Sequence, residues 1–254
     1  MVRLGQNFLA DPNLLDAIVR DAELGPHDVA LEIGGGEGAL TERIAARVAH
    51  VHVVEIDERL IGQLEELADR AGNVSVVRGD AMRLDLGSLD PAPTTMPSNL
   101  PYSVATPVLL KTIAELPGVR TWTVMVQREI ADRLRAEPGT SAYGSPSVVA
   151  QLACKVELIR TVNRAVFRPR PRVDSAVLRL RRIGPAPASA VAQLVRDAFA
   201  HRRKPLASSI ELAGGASRAT VREALERLGE PANLRAERLA PADFAALAAE
   251  LGVA

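Results

Sequence analysis

The chain has 254 residues, enough for one large domain or a medium domain with a small one, and 47% of them are hydrophobic, ample material for a packed core. Its 31 basic and 31 acidic side chains cancel, so overall charge gives no support for nucleic-acid binding. A single cysteine, Cys154, rules out an internal disulfide and a thiolate zinc cluster, and no metal site is expected. The N-terminal residues lack the apolar run of a signal peptide, and no apolar stretch approaches the ~20 residues of a membrane span. A cytoplasmic, monomeric protein without membrane contact is the expectation.

Asp11-Pro12 is a helix start, and Leu14, Leu15, Ile18, Val19 and Ala22 then share one helical face. Val29 to Ile33 reads as a short buried strand ended by a glycine-rich turn, Gly34 to Gly38, before a helix carrying Leu40, Ile44 and Val48. Val51 to Ile56 is the next strand, and Asp57 can cap the helix of Leu60, Ile61, Leu64 and Leu67. Further strands are predicted at Val74–Val77, near Thr95–Ser98 and at Thr121–Gln127, with a helix from Val104 to Leu116 between the last two. Alternating units of this kind imply a parallel sheet with helices on both faces, a Rossmann-like α/β fold.

Val173–Arg182 differs. Its period-2 alternation predicts a strand with one wet face, added at a sheet edge. The Pro-rich stretch Gly184–Ser189 reads as a linker, and Val191–Ala200, Ala219–Leu228 and Ala242–Leu251 as short helices. The expected division is a catalytic domain over residues 1–184 and a small all-helical domain over 185–254. Charge is uneven along this path. Between Arg160 and Arg182 stand eight arginines and one acid, Asp174, a local net charge of +7, and His201-Arg202-Arg203-Lys204 follows. Such clusters can meet phosphate from one face of a neutral protein.

Ligands of open α/β sheets bind beyond the carboxyl ends of the strands. There the sequence places Gly34 and Gly36, where a ligand can approach the main chain; Glu55, which could accept bonds from ribose hydroxyls; and Asp80-Ala81, whose carboxylate could accept from an adenine amino group. Three such ends in order favour an adenosine-containing ligand. The Gly34-x-Gly36-x-x-Ala39 spacing also admits a dinucleotide cofactor, but no residue set for hydride chemistry accompanies it.

Asn99-Leu100-Pro101-Tyr102 follows the fourth of these buried strands. An adenine amino nitrogen is a poor nucleophile because its lone pair is delocalised into the ring. A carboxamide oxygen (Asn99) and a free carbonyl (Leu100), accepting its two protons, would draw it toward tetrahedral geometry. Pro101 stiffens the turn and brings no competing N–H, and Tyr102 offers a ring for stacking. Downstream, Phe167-Arg168-Pro169-Arg170-Pro171-Arg172-Val173 is held extended by its prolines. Phe167 could stack on the opposite face of a flipped-out base, with arginines on the phosphates.

Together these motifs resemble the ribosomal RNA adenine dimethyltransferases, over nearly the whole chain. The resemblance rests on Gly5-Gln6-Asn7-Phe8-Leu9, Glu32 through Thr41, Glu55-Ile56-Asp57, Gly79-Asp80-Ala81, Asn99 through Tyr102, Ala142-Tyr143-Gly144, Phe167 through Val177 and His201 through Lys204. It implies S-adenosylmethionine as cofactor, contacted by Asn7, Leu9, Gly34, Glu55, Asp80 and Asn99. It implies dimethylation of N6 on two adjacent adenosines near the 3′ end of 16S rRNA, late in biogenesis of the small ribosomal subunit. Asn99, Leu100 and Tyr102 would hold the target amine, with Phe167 stacking. A 23S-directed relative conferring macrolide resistance and a non-catalytic assembly factor are the competing readings. Two departures stand out: Gly35 replaces a frequent proline, which should loosen that loop slightly, and only Arg3 remains of the basic residues expected before the opening motif.

Overall fold

The computed structural model describes residues 8–9 and 11–253. Strands run β1 (Phe8–Leu9), β2 (Val29–Ile33), β3 (His50–Glu55), β4 (Val74–Arg78), β5 (Thr95–Asn99), β6 (Thr121–Gln127), β7 (Cys154–Val162), β8 (Phe167–Arg168) and β9 (Ser175–Arg182). Helices are α1 (Pro12–Asp21), α2 (Ala39–Ala45), α3 (Glu58–Ala71), α4 (Ala105–Glu115), α5 (Arg128–Leu134), α6 (Ser145–Ala153), α7 (Ser189–Ala200), α8 (Leu206–Leu212), α9 (Arg218–Arg227) and α10 (Pro241–Glu250).

Seven strands form one sheet in the order β4-β3-β2-β5-β6-β9-β7, while β1 pairs antiparallel with β8. Strands β4 through β6 of that order are mutually parallel, and β9 runs antiparallel to β6 with Val124 opposite Leu178. The helix starts follow local chemistry: Asp11 accepts the Asn13 and Leu14 N–H groups at α1, and Asp57 accepts the Arg59 N–H at α3. Every residue of β2 is buried. Successive side chains of a strand point to opposite faces, so both faces of β2 are covered, as the near-continuous apolar runs require.

The sheet order reverses between β2 and β5, which lie side by side although two strands separate them in sequence. The tips of β2 and β5 therefore flank the switch point, where open α/β sheets place their ligands.

Three sequence expectations are corrected. The sheet is mixed rather than parallel. β9 is interior, because β7, a strand the sequence pattern did not reveal, lies outside it. Nor does β9 keep one wet face: Ser175 through Leu178 are all buried, and only the arginine-bearing end is accessible. Val177 sits in the apolar cluster of Leu15, Ile18, Ile44 and Met125, so α1 covers the face that alternation had assigned to water.

The chain divides into two compact units, but not by a single cut near residue 184. One unit runs to Ala131 and includes Val156–Arg182; the other joins Asp132–Lys155 to Ile183 and the residues after it. Within the second unit, the buried Tyr143 hydroxyl donates to the Leu239 carbonyl at 2.9 Å and the Gly139 N–H donates to the Glu237 carbonyl. The Tyr143 ring meets Phe199 edge-on, and Phe199 packs on Phe244. These contacts tie residues 139–143 to α7, α10 and the turn before α10. Among the described residues no helix is long and apolar enough to cross a membrane, and no group of three or more His, Cys, Asp or Glu could hold a metal ion.

Candidate active site

A cavity of about 840 Å³ opens beyond the carboxyl ends of β2, β3, β4 and β5, within the first unit. Its size lies in the upper part of the range for small-molecule sites, which leaves room for a nucleobase beside a cofactor. Of the residues the sequence nominated, Leu9, Gly34, Gly36, Glu55, Asp80, Ala81, Asn99, Leu100, Pro101 and Tyr102 all line it. Asn7 lies outside the described residues. Phe167 does not line the cavity.

One side of the cavity is acidic. Gly34 and Gly36 take φ of +84° and +57°, conformations that turn the chain sharply off β2 and that side chains disfavour. The Glu55 carboxylate stitches this turn to the next strand: one oxygen accepts the Gly36 N–H at 2.9 Å, the other accepts Ile56 and Asp57 N–H, each at 2.9 Å. A carboxylate offers about four lone-pair sites, so three are in use. Holding both ribose hydroxyls would require Gly36 to release its bond. Asp80, which lines the cavity, is less committed: one oxygen accepts the Met82 N–H at 2.9 Å and the other makes no hydrogen bond among the described residues.

Two further residues here were named by the sequence only within motifs, without a role of their own. Glu32 is buried at the end of β2 and lines the cavity, bonded by the Thr41 hydroxyl at 2.6 Å. Burial pushes its carboxyl up to about 8; the Thr41 bond opposes that shift and the charge of Glu55 adds to it. Ile56, next to Glu55, leaves 49% of its surface exposed on the cavity wall. An isoleucine between a strand end and the N-cap Asp57 has no core to enter, and that position was the available signal.

At the tip of β5 the arrangement is open. The Leu100 N–H donates to the Met125 carbonyl at 3.1 Å, which fixes the peptide at the strand end, and Pro101 has no N–H to offer. Pro101 packs so closely on Gly34 that a Cβ there would lie 3.2 Å from its ring. The Asn99 carboxamide lines the cavity and, among the described residues, makes no hydrogen bond within the protein. A half-buried amide left without an internal partner is available to a ligand.

Tyr102 stands beside it with its hydroxyl 2.6 Å from the Ser175 hydroxyl at the start of β9. Burial pushes the phenol up, with the Ser175 bond pulling the other way, so the ring stays neutral. Phe167 meets Tyr102 edge-on, centroids 6.3 Å apart and planes at 73°. Its own ring is 2% exposed and packs in the core with Leu9, Leu15 and Ile18. Two rings so inclined do not sandwich a planar base. The structure thus gives Phe167 a different place from the stacking position expected of it: it buttresses Tyr102 from the core side.

The comparisons with known proteins now bear on this geometry. Residues 2–251 match the family model described as ribosomal RNA adenine dimethylase. The chain belongs to the ribosomal RNA adenine dimethylase family. It is 42% identical to the ribosomal RNA small subunit methyltransferase A of Rubrobacter xylanophilus, with 96% of this chain and 92% of the relative covered. The protein of the same name from Lactiplantibacillus plantarum is 38% identical, covering 96% and 87%. Among solved structures, a dimethyladenosine transferase from Plasmodium falciparum superposes with a TM-score of 0.80 at 27% identity, over 96% of this chain and 97% of that one. The 23S rRNA methyltransferase ErmE gives 0.70 at 29%, over 97% and 100%. The Rossmann-like methyltransferase architecture expected from the strand pattern is therefore that of this family.

Gly35, between the two positive-φ glycines, stands in a tight place. A Cβ at that position would lie 2.3 Å from a methyl of Val53 and 3.2 Å from Leu64. The space a larger residue would need is filled by β3 and α3, so this backbone accepts only glycine as it is packed.

Proposed function

We propose that the chain is the small-subunit member of this family: it transfers methyl groups from S-adenosylmethionine to N6 of two adjacent adenosines near the 3′ end of 16S rRNA, late in assembly of the subunit. The observation that carries the reading is the uncommitted Asn99 carboxamide, set beside a glycine-lined, acid-lined cradle in a cavity large enough for two ligands. The small-subunit assignment draws on relatives 38–42% identical over nearly their whole length.

The residues fit the cofactor. Its sulfonium and ammonium are cationic, and Glu55 and Asp80 give the cradle the opposite charge, while Glu32 keeps its proton. Gly34 and Gly36 bring main chain to the cavity wall, Ile56 offers an apolar face to adenine, and the open oxygen of Asp80 can accept from the adenine amino group. Leu9 would close the cradle from the N-terminal side. When bound, the cofactor supplies an electrophilic methyl group.

The chain's own part is to prepare the acceptor. The Asn99 side-chain oxygen and the Leu100 carbonyl accept the two amino protons of the target adenine and localise its lone pair on nitrogen. Tyr102, fixed by Ser175 and Phe167, supplies the stacking wall. The amine is already neutral, so no strong base is needed before attack, and most of the acceleration comes from alignment. Arg203 and Lys204 in the second unit are exposed, and we assign that helical unit to recognition of the ribosomal subunit, with the enzyme acting as a cytoplasmic monomer.

The test is methyl transfer to purified small subunits lacking the modification, read by labelled-methyl incorporation and primer extension. New stops at the paired 3′ adenosines are expected. Incorporation only into large subunits would move the enzyme to the 23S branch, and no incorporation into either would leave a binding factor.

A further inference from the structure

Eight arginines lie between Arg160 and Arg182, but most serve the fold. Arg160 grips Asp21 at 2.7 Å. Arg179 bonds the Asp21 carbonyl and the Glu23 carboxylate, and Arg181 pairs with Glu23 at 2.8 Å. Arg182 lies over Trp122 and donates to the carbonyls of Val119, Ile113 and Leu116 near the end of α4. Arg164 braces the loop before β9: its guanidinium donates to the Arg172 carbonyl at 2.9 Å, and its N–H to Asp174 at 3.0 Å. The lone acid of the stretch is thereby turned to the backbone of Arg164.

That leaves Arg168, Arg170 and Arg172, all exposed and, among the described residues, without an ion pair. Arg170 and Arg172 line the cavity itself. Pro169 and Pro171 fix φ on either side of Arg170 and restrict the residue before each of them, so the loop gives up little freedom on binding. Along the sheet edge Glu55 and Asp80 stand at the tips of β3 and β4, and this loop leads into β9, beyond β5 and β6. The cavity therefore has an acidic side and a basic side. A cationic cofactor belongs on the first. A phosphodiester would be repelled there and attracted to the second.

We infer that Arg170 and Arg172 form a phosphodiester-binding site at the cavity wall, holding the backbone that flanks the target nucleotide while Asn99 and Tyr102 hold its base. The inference rests on the proposed RNA substrate and names the residues that grip its backbone. The experiment compares the parent enzyme with an R170Q/R172Q double variant, using small subunits lacking the modification as substrate. The double variant should raise KM for the subunit about tenfold and leave kcat within about twofold, since each charge-assisted phosphate contact contributes a modest share of binding. The slope of log affinity against log salt should become shallower by roughly 1.4, at about 0.7 per single-strand phosphate. Affinity for S-adenosylhomocysteine in calorimetry should not change. R160Q should lower Tm and keep the parent's salt slope.

An unchanged KM and slope would overturn the site. So would a loss of S-adenosylhomocysteine affinity, which would give the arginines to the cofactor's carboxylate. If the parent binds subunits but methylates none, the enzymatic reading fails instead, and the salt slope still decides the phosphate site.

Discussion

The two sides of the cavity are built in opposite ways. On the side of β2, β3 and β4, polar groups are already engaged by the protein: Glu55 holds three main-chain N–H groups and Glu32 takes the Thr41 hydroxyl. On the side of β5 and the loop before β9, the side chains of Asn99, Arg170 and Arg172 make no hydrogen bond or ion pair among the described residues. On the proposed function, the difference teaches that the cofactor side is a preformed cradle whose residues carry both structure and binding, whereas the acceptor side keeps the Asn99 amide and two guanidinium groups free for substrate. Changes on the first side should therefore appear in stability, and changes on the second in turnover.

The largest effect should come from the acceptor side. Asn99→Ala should lower methyl transfer by 10²–10³-fold, on the scale of losing one preorganised transition-state hydrogen bond. Because the carboxamide makes no internal bond, Tm should move by less than a degree or two. Thermal melts paired with single-turnover incorporation check both, and a large drop in Tm with normal turnover would reverse the comparison.

Glu32 tests the cradle side. Its folded-state carboxyl titrates at about 8, against 4.5 for the ordinary group. Between those values the unfolded chain ionises while the fold keeps its proton, so native stability falls as pH rises from about 4.5 to 8. Glu32→Gln keeps an acceptor for Thr41 and removes that titration. The variant should gain on the order of 4 kcal/mol over the parent at pH 8, with the gap closing toward pH 5, as read from urea melts across that range. A gap independent of pH would show that burial at the end of β2 does not perturb this carboxyl.

The smallest effect sharpens the division within the acceptor side. Ser175→Ala removes the hydroxyl that holds Tyr102. We expect kcat to fall about fivefold, matching the ~1 kcal/mol net of one hydrogen bond, with KM for S-adenosylmethionine unchanged. Tyr102→Phe should cost a similar amount, and the double variant no more than either alone. Ser175→Thr should restore most of the loss. Additive losses would mean the two hydroxyls act independently.

Much of this was legible in the chain. The Asp-capped helix starts, the short buried strands and the ligand-bearing residues at their tips depend on neighbours within a few positions, and local rules report such neighbours. β7 was not legible, because a strand with mixed polar and apolar residues shows no clean period. The helix α8, only seven residues long, offered too few turns for a pattern. The place of Phe167 was undecided by its composition, since an aromatic after a turn serves a core or a ligand equally well.

The sequence by itself determined the family and ten of the cavity-lining residues, because motif spacing places most of them at strand ends. The tertiary structure alone decided which of those residues are free. Five of the eight arginines between Arg160 and Arg182 were committed to partners such as Asp21, Glu23 and the end of α4. Tyr143 was drawn to a carbonyl 96 positions away, carrying residues 132–155 into the helical unit. Such pairings reflect distances across folded chain. A run of residues states which charges exist, and only the packed molecule states which of them have already been neutralised.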